Sequence, residues 1–206
     1  MSATAIELGD GLDPDEALWQ TWLAMELPEG LRAEIIEGFI EVSPTGGGYH
    51  SLAANRLRRR LDSFLSGTQY AAHQDTNVIF RHNVLIPDVL VTLEDLVEVF
   101  DPANLGAMAE HVTLVVEVVS PGHGSRERDW GRKQRAYARA AIPVYVIVDD
   151  HDGSGHVTVH SQPNPAKGLY EASARVPYGT PVAIPEGPAK GFVIDTTITG
   201  EPRPAE

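Results

Sequence analysis

Two carboxylates lie in segments whose other residues favour buried β-strands, and this combination constrains the fold more than any other feature of the chain. Asp88 follows Pro87 at the start of a predicted strand, and Glu117 lies in the middle of the apolar segment 114–119. Taking an ionised carboxylate out of water is costly unless the group is paired, protonated or bound to a metal. A divalent cation shared by Asp88 and Glu117 is the simplest way to satisfy both.

The segment that follows Glu117 predicts a helix that returns a lysine towards it. Residues 125–139 have a helix-forming composition, and Ser125 suits the N-cap position because acidic residues follow in the first turns. At helical spacing, Asp129, Lys133 and Tyr137 lie along one face. Asp129 would pair with Lys133 across one turn and hold its side chain in place. Two acids and a lysine that converge on one point can support metal-assisted hydrolysis of a phosphodiester.

A third carboxylate is a candidate for the same neighbourhood. Residues 32–43 predict a β-hairpin, and if Glu37 and Gly38 form its two-residue turn, Glu34 lies opposite Glu41. Directly opposed like charges are unfavourable unless a positive group is nearby. Glu34 is therefore expected near the metal, although a shift of one residue in the register would reverse this argument.

The remaining pattern predicts an α/β (α+β) fold, in which a mixed β-sheet is flanked by helices and extended by C-terminal strands. Further helices are predicted at 14–25 and 50–65, with a helical excursion at 93–110. Further strands are predicted at 70–80, 86–92, 144–148, 156–160 and 192–197. We expect a single domain over 12–200, a disordered N-terminus at 1–11 and a flexible tail at 201–206.

Composition excludes several kinds of site and location. The sequence contains no cysteine, which excludes disulfides, thiolate nucleophiles and cysteine metal sites. No segment reaches the ~18 to 20 apolar residues of a membrane span, and the N-terminus lacks the pattern of a signal peptide. These features predict a soluble, cytoplasmic protein without a membrane partner.

The charge of the chain argues against a nucleic-acid partner, but its distribution weakens that objection. The formal net charge is -13, whereas proteins that bind nucleic acid usually present a basic surface to the phosphates. Ten of the 16 basic residues lie in two predicted helices, and these are Arg56, Arg58, Arg59, Arg60, Arg126, Arg128, Arg132, Lys133, Arg135 and Arg139. Either these helix faces are simply solvated, or the uneven charge is compatible with a nucleic-acid partner.

Several short motifs occur in the order found in one nuclease family. They are Glu34-Ile35-Ile36-Glu37-Gly38, Ser43-Pro44 followed by His50, Ile86-Pro87-Asp88-Val89, Val116-Glu117-Val118-Val119-Ser120-Pro121, Asp129 with Lys133 and Tyr137, and Pro143-Val144-Tyr145-Val146-Ile147-Val148-Asp149. On these motifs, which span roughly residues 30 to 200, the chain resembles the Uma-two family of the PD-(D/E)XK nuclease superfamily. One difference matters, because the (D/E)XK element would place lysine at position 119, where this chain has Val119. The resemblance implies that the lysine has moved to the next helix, as Lys133.

The resemblance implies a restriction-endonuclease-like fold and a metal-dependent endonuclease that acts on DNA. Asp88, Glu117 and the backbone carbonyl of Val118 would then bind Mg²⁺, or Mn²⁺, in oxygen coordination. Lys133 would orient the attacking water or neutralise the transition state. Glu34 would bind a second metal or a metal-bound water, and His50 would contact phosphate or move a proton, unless it is only a polar residue at a helix start.

Two alternatives to a DNA endonuclease stay open at the level of the sequence. The first is a catalytically silent nuclease fold that serves as a binding or assembly module. The second is a phosphodiesterase that acts on a small phosphorylated molecule, which suits the net acidity better. A homodimer is possible in each case.

Overall fold

The computed structural model describes residues 13–119 and 127–201 of the chain. Ser125, the predicted N-cap, lies outside the described residues. So do the predicted disordered N-terminus, 1–11, and the predicted tail beyond Glu201.

Four α-helices and a π-helix are formed in the described part of the chain. The α-helices are α1 Pro14–Leu23, α2 Gly48–Leu65, α3 Gln134–Arg139 and α4 Thr196–Thr199. The π-helix, Arg128–Lys133, runs directly into α3. Single 3-10 turns form at Leu96–Glu98 and Ala109–His111.

Thirteen strands make up the β-structure of the described residues. They are β1 Leu31–Ile36, β2 Phe39–Pro44, β3 Tyr70–His73, β4 Val78–Phe80, β5 Asn83–Leu85, β6 Val89–Leu93, β7 Ala107–Met108, β8 Leu114–Val118, β9 Val144–Asp149, β10 His156–Asn164, β11 Leu169–Pro177, β12 Val182–Ala183 and β13 Val193–Ile194.

The strands form two larger sheets and one short ribbon. A six-stranded sheet has the order β11-β10-β9-β8-β6-β3, a five-stranded sheet has the order β2-β1-β5-β4-β7, and β12 pairs with β13. The pairs β8–β9 and β4–β7 are parallel, and the other pairs are antiparallel. The predicted mixed α+β fold, with sheets flanked by helices, is confirmed.

The six-stranded sheet is buried on both faces, which explains why its central strands are almost uniformly apolar. In β9, Val144, Val146 and Val148 pack in one apolar cluster together with α2 and the C-terminal elements. Tyr145 and Ile147, which point to the other face, pack in a second cluster with the helix around Tyr137. A charged residue in such a sheet has no solvent-exposed face, so it must find its partners inside the protein.

Three predicted elements differ from the structure. The helix predicted at 93–110 is a loop with two 3-10 turns and β7. The strand predicted at 70–80 is divided between β3 and β4, which lie in different sheets. The strand predicted at 192–197 ends at Ile194, because Asp195 caps α4 by accepting a hydrogen bond from the Thr197 amide.

No helix in the described ranges is both long enough and apolar enough to cross a membrane.

Candidate functional site

The β1–β2 hairpin brings Glu34 into the interior of the protein. Its register pairs Glu34 with Glu41, and Glu37 and Gly38 form the turn with φ values of 51° and 79°. Each of the opposed carboxylates has a cation from the helical segment: Lys133 Nζ lies 2.9 Å from Glu34 Oε1, and Arg132 Nη1 lies 2.7 Å from Glu41 Oε2. The hairpin has the predicted register, and each carboxylate has the nearby positive charge that this register requires.

The pairing of β6 with β8 aligns the two carboxylates of the apolar strands. Val89 pairs with Val116, and the Asp88 amide donates a hydrogen bond to the Val116 carbonyl at 3.0 Å. Continuing this antiparallel register by one residue places Asp88 opposite Glu117, where side chains share one face. The Val118 amide also donates a hydrogen bond to Asp88 Oδ2 at 2.8 Å, so the backbone of β8 orients this carboxylate.

Lys133 lies at the centre of the site with its side chain fully buried. Its ammonium nitrogen is 2.9 Å from Glu34 Oε1, 2.9 Å from Glu117 Oε1 and 3.2 Å from the Ile86 carbonyl oxygen. An ammonium group has three donors, and these three acceptors match them. Lys133 therefore links a strand of each large sheet and neutralises charge between them.

The π-helical start of the segment changes the partners that a regular helix would provide. Tyr137 donates its hydroxyl hydrogen to Glu117 Oε1 at 2.7 Å, so Lys133 and Tyr137 meet at the same carboxylate, as their spacing predicts. The Asp129 carboxylate instead accepts from Arg128, with Nε at 2.8 Å from Oδ1 and Nη2 at 3.4 Å from Oδ2. The predicted Asp129–Lys133 ion pair is therefore replaced by an Asp129–Arg128 pair. π-Helical turns often occur at functional sites.

Asp88 is bound on its other side by two cationic side chains. His50 Nε2 lies 2.9 Å from Asp88 Oδ2, and Arg32 Nη2 lies 3.6 Å from Oδ1. Burial alone would raise the pKa of Asp88, but the hydrogen bond and charge of His50 outweigh it, so the pKa lies below its usual value. Burial alone would lower the pKa of His50, and its interaction with Asp88 raises it above the usual value instead. Each partner therefore favours the charged form of the other.

Glycine is required at one position beside His50. A β-carbon at Gly46 would lie 2.0 Å from His50 Nδ1. Any side chain there would push the imidazole away from Asp88.

The Glu117 carboxyl group carries an unusual proton affinity. Burial is the main cause, and it raises the pKa of Glu117 from 4.5 to about 8, even though Lys133 acts in the opposite direction. The neighbouring carboxylates raise the pKa of Lys133 despite its own burial. One ammonium neutralises one carboxylate, and Lys133 touches two of them. Glu117 therefore holds a proton more tightly than an exposed glutamate does.

Among the described residues, this cluster borders a cleft on the side of Asp88 and His50. A cleft of about 490 Å³ is lined by Arg32, His50, Asn55, Asp88 and neighbouring loop residues. Glu34, Glu117 and Lys133 lie behind Asp88 and are at most 1% exposed. A substrate would therefore approach from the side of Asp88 and His50.

The donor chemistry fits a hard cation, although the described residues contain no group of three or more His, Cys, Asp or Glu side chains placed to hold a metal. Glu34 Oε2 is buried and has no hydrogen-bond partner. Mg²⁺ usually binds through one or two carboxylates and completes its coordination with water and phosphate oxygens. Asp88 and Glu117 supply such oxygens, and the backbone carbonyl of Val118 stays a predicted third ligand.

The structure adds site residues that the sequence did not reveal. Arg32 lies two residues before Glu34 on β1, and this spacing, which places both side chains on one face of a strand, was the available signal. Arg128 and Gly46 had no comparable signal, because their roles depend on the π-helix and on the entry into α2.

Comparisons with known proteins support the fold. A family model described as "Putative restriction endonuclease" matches residues 19–197. A crystal structure of a "putative nuclease belonging to DUF820 from Anabaena variabilis ATCC 29413" has a similar fold, with a TM-score of 0.66 and 14% sequence identity. The match covers 89% of this chain and 97% of that chain. None of the curated proteins compared with the sequence matches it.

Proposed function

The chain belongs to the Uma2 family, described as "Putative restriction endonuclease", and from this membership we propose that it is a metal-dependent endonuclease that hydrolyses phosphodiester bonds in DNA. The observation that carries the proposal is that Lys133 joins Glu34 and Glu117 in the interior, while the Val118 amide holds Asp88 beside Glu117. A purely structural interior would be better served by apolar side chains, because buried charges are costly to bring together.

In this proposal Asp88 and Glu117 hold Mg²⁺ or Mn²⁺, with the Val118 carbonyl as a further ligand. When bound, the ion lowers the pKa of a water molecule and stabilises negative charge on the phosphate. Asp88 is ready for such a role, because its pKa is lowered and it stays ionised at neutral pH. Glu117 must lose its proton first, so the site favours mildly alkaline conditions.

The protein side chains then position the substrate and balance its charge. His50 and Arg32 border the open cleft and can contact a phosphate that enters beside Asp88. Lys133 reduces the electrostatic repulsion between the buried carboxylates and adds positive potential behind the reacting phosphate. Because its three donors are already used, it acts through its charge and the placement of Glu117 rather than through a direct bond to substrate.

The test is cleavage of plasmid and single-stranded DNA with Mg²⁺ or Mn²⁺, compared with EDTA. We expect Asp88→Asn and Glu117→Gln each to reduce the rate about a hundredfold, since each removes a proposed ligand of the ion. Lys133→Met should also lose activity. Glu110→Gln, an exposed carboxylate far from the cluster, is the matched control and should cleave like the wild type.

One observation favours a second function, that of a catalytically silent module: Lys133 has no hydrogen-bond donor left for a substrate. All three ammonium donors are bound inside the protein, as in a site that serves only the fold. A catalytically silent module would show no metal-dependent cleavage while the wild type is folded. Unchanged cleavage in Asp88→Asn would contradict the proposed site even if the protein is a nuclease.

A further inference from the structure

The two basic segments of the chain have different fates in the structure. In the segment 128–139, every basic side chain has an acidic partner. The pairs are Arg128 with Asp129, Arg132 with Glu41, Lys133 with Glu34 and Glu117, and Arg135 and Arg139 with Glu37. These side chains hold the helix against the β1–β2 hairpin, so their charges are already used within the protein.

The arginines of α2 are different. Among the residues that the structure describes, Arg56, Arg58, Arg59 and Arg60 have no ion-pair partner. Only Arg60 shows a compensating neighbour: after the hydrogen bond from Thr197, its charge helps to lower the pKa of Asp195. In a chain with a net charge of -13, uncompensated arginines on one helix form a local exception.

Three of these arginines line a shallow, open groove along one exposed face of α2. The groove has a volume of about 660 Å³, and its lining includes Ser51, Asn55, Arg56, Arg59, Arg60 and Ser63. Arginine, serine and asparagine are side chains that contact phosphate and sugar. None of the lining residues is aromatic, so the groove offers no platform for stacking bases.

The groove is continuous with the candidate catalytic cleft. Ser51 and Asn55 line both depressions, and the cleft on the other side of them contains His50, Arg32 and Asp88. From His50 to Arg60 the helix rises roughly 15 Å at 1.5 Å per residue. A surface of this length suits several consecutive phosphates of one strand.

We propose that the outer face of α2, formed by Asn55, Arg56, Arg59 and Arg60, binds the sugar-phosphate backbone of the DNA strand and leads it to Asp88. This proposal rests on the proposed function and extends it by assigning the surface that holds the substrate. Binding there relies on charge and on hydrogen bonds to the phosphates, which carry no sequence information directly.

The test separates binding from cleavage. Affinity for a 24-base-pair duplex and for its single strand is measured by fluorescence anisotropy in EDTA, with gel analysis to verify that the DNA stays intact. Compared with the wild type, we expect Arg56→Ala/Arg59→Ala to bind the DNA about tenfold more weakly. The slope of log Kobs against log salt should fall by about 0.7 to 0.9 for each lost phosphate contact.

The control variant is Arg58→Ala/Arg135→Ala, which removes the same charge from positions outside the groove. It should bind within about twofold of the wild type, since neither guanidinium lines the proposed surface. Circular dichroism and thermal unfolding verify that both double variants are folded.

The outcomes distinguish this proposal from the proposed function. Equal affinity of the two double variants overturns the α2 surface, even if metal-dependent cleavage is observed. No DNA binding by the folded wild type also overturns it. Selective loss in Arg56→Ala/Arg59→Ala supports the surface even if no cleavage is found, and the duplex and single-strand arms identify which form the groove prefers.

Discussion

At the scale of single residues, the site is governed by how one ammonium group shares its charge among buried carboxylates. Lys133 contacts Glu34 and Glu117 at 2.9 Å each, and Tyr137 supplies a further hydrogen bond to Glu117. Hydrogen bonds stabilise the pair, but the charge balance leaves one carboxylate in excess. Burial is the main cause of the raised pKa of Glu117, and this excess of negative charge adds to it.

The raised pKa of Glu117 predicts how the stability of the protein depends on pH. The pKa of Glu117 rises from 4.5 to about 8 on folding, so the protonated form is favoured in the folded state. Its contribution to the free energy of unfolding is complete below pH 4.5 and is lost as the pH rises through about 8. In EDTA, we expect the wild type to lose stability between pH 5 and 8.5, by up to ~1.4 kcal/mol per pH unit from this group.

Glu117→Gln removes the titrating group and leaves Lys133 paired with Glu34 alone. Its stability should therefore fall less over the same range, so that it gains on the wild type as the pH rises. Urea denaturation at several pH values measures both curves. Parallel curves for the two proteins would contradict the assignment of the titration to Glu117.

At the scale of elements, the predictable parts of the fold are those whose patterns come from local chemistry. The β1–β2 hairpin was predictable in register because Glu37-Gly38 fits a two-residue turn. The helix α2 was predictable because Leu57, Leu61 and Leu65 recur at helical spacing and are buried. The π-helix was not predictable, since its geometry depends on the tertiary partners of Arg128 and Asp129.

The loop at 93–110 shows why polar composition misled the helix prediction. The Asp101 carboxylate accepts hydrogen bonds from the amides of Ala103, Leu105 and Gly106. Asp side chains that bind nearby amides compete with helix formation. Asn104 also adopts a φ of 58°, which a helix does not allow. These contacts depend on closing the loop against β4, which short-range patterns do not encode.

This loop provides an element-scale prediction. A β-carbon at Gly106 would lie 2.5 Å from the Asn77 backbone oxygen, so Gly106→Ala should lower the free energy of unfolding by about 1–3 kcal/mol, as overpacking does. Gly131→Ala is the matched control, because its β-carbon would meet only the flexible Arg135 side chain at 3.6 Å. Chemical denaturation compares them, and an equal effect of the two substitutions would contradict the close approach at Gly106.

At the scale of the whole molecule, the family, the order of the main motifs and the acidic cluster followed from the sequence. The partners of each charge did not, because they join segments that are distant along the chain. The basic side chains of 128–139 form ion pairs within the protein, whereas those of α2 face the surface. This difference could be seen only in the three-dimensional structure. The net charge of -13 therefore describes the molecule poorly at the surface of α2.

Metal binding should be visible in the unfolding of the whole molecule. A ligand that binds only the folded state raises its stability, by roughly 2.7 kcal/mol at a concentration a hundred times its Kd. We expect Mg²⁺ or Mn²⁺ to raise the Tm at pH 8 and EDTA to reverse the change. Asp88→Asn should abolish the shift, with Glu110→Gln again as control. A Tm shift of the same size in Asp88→Asn would show that the ion binds elsewhere on the protein.

Lys133 also makes the interior depend on segments that are distant along the chain. Its ammonium joins the first β-hairpin to β8 and to the chain just before β6, and such contacts require the closure of long loops. Without the π-helix, Glu34 and Glu117 would lack the cation that they share. One side chain therefore serves both the interior of the protein and the candidate site.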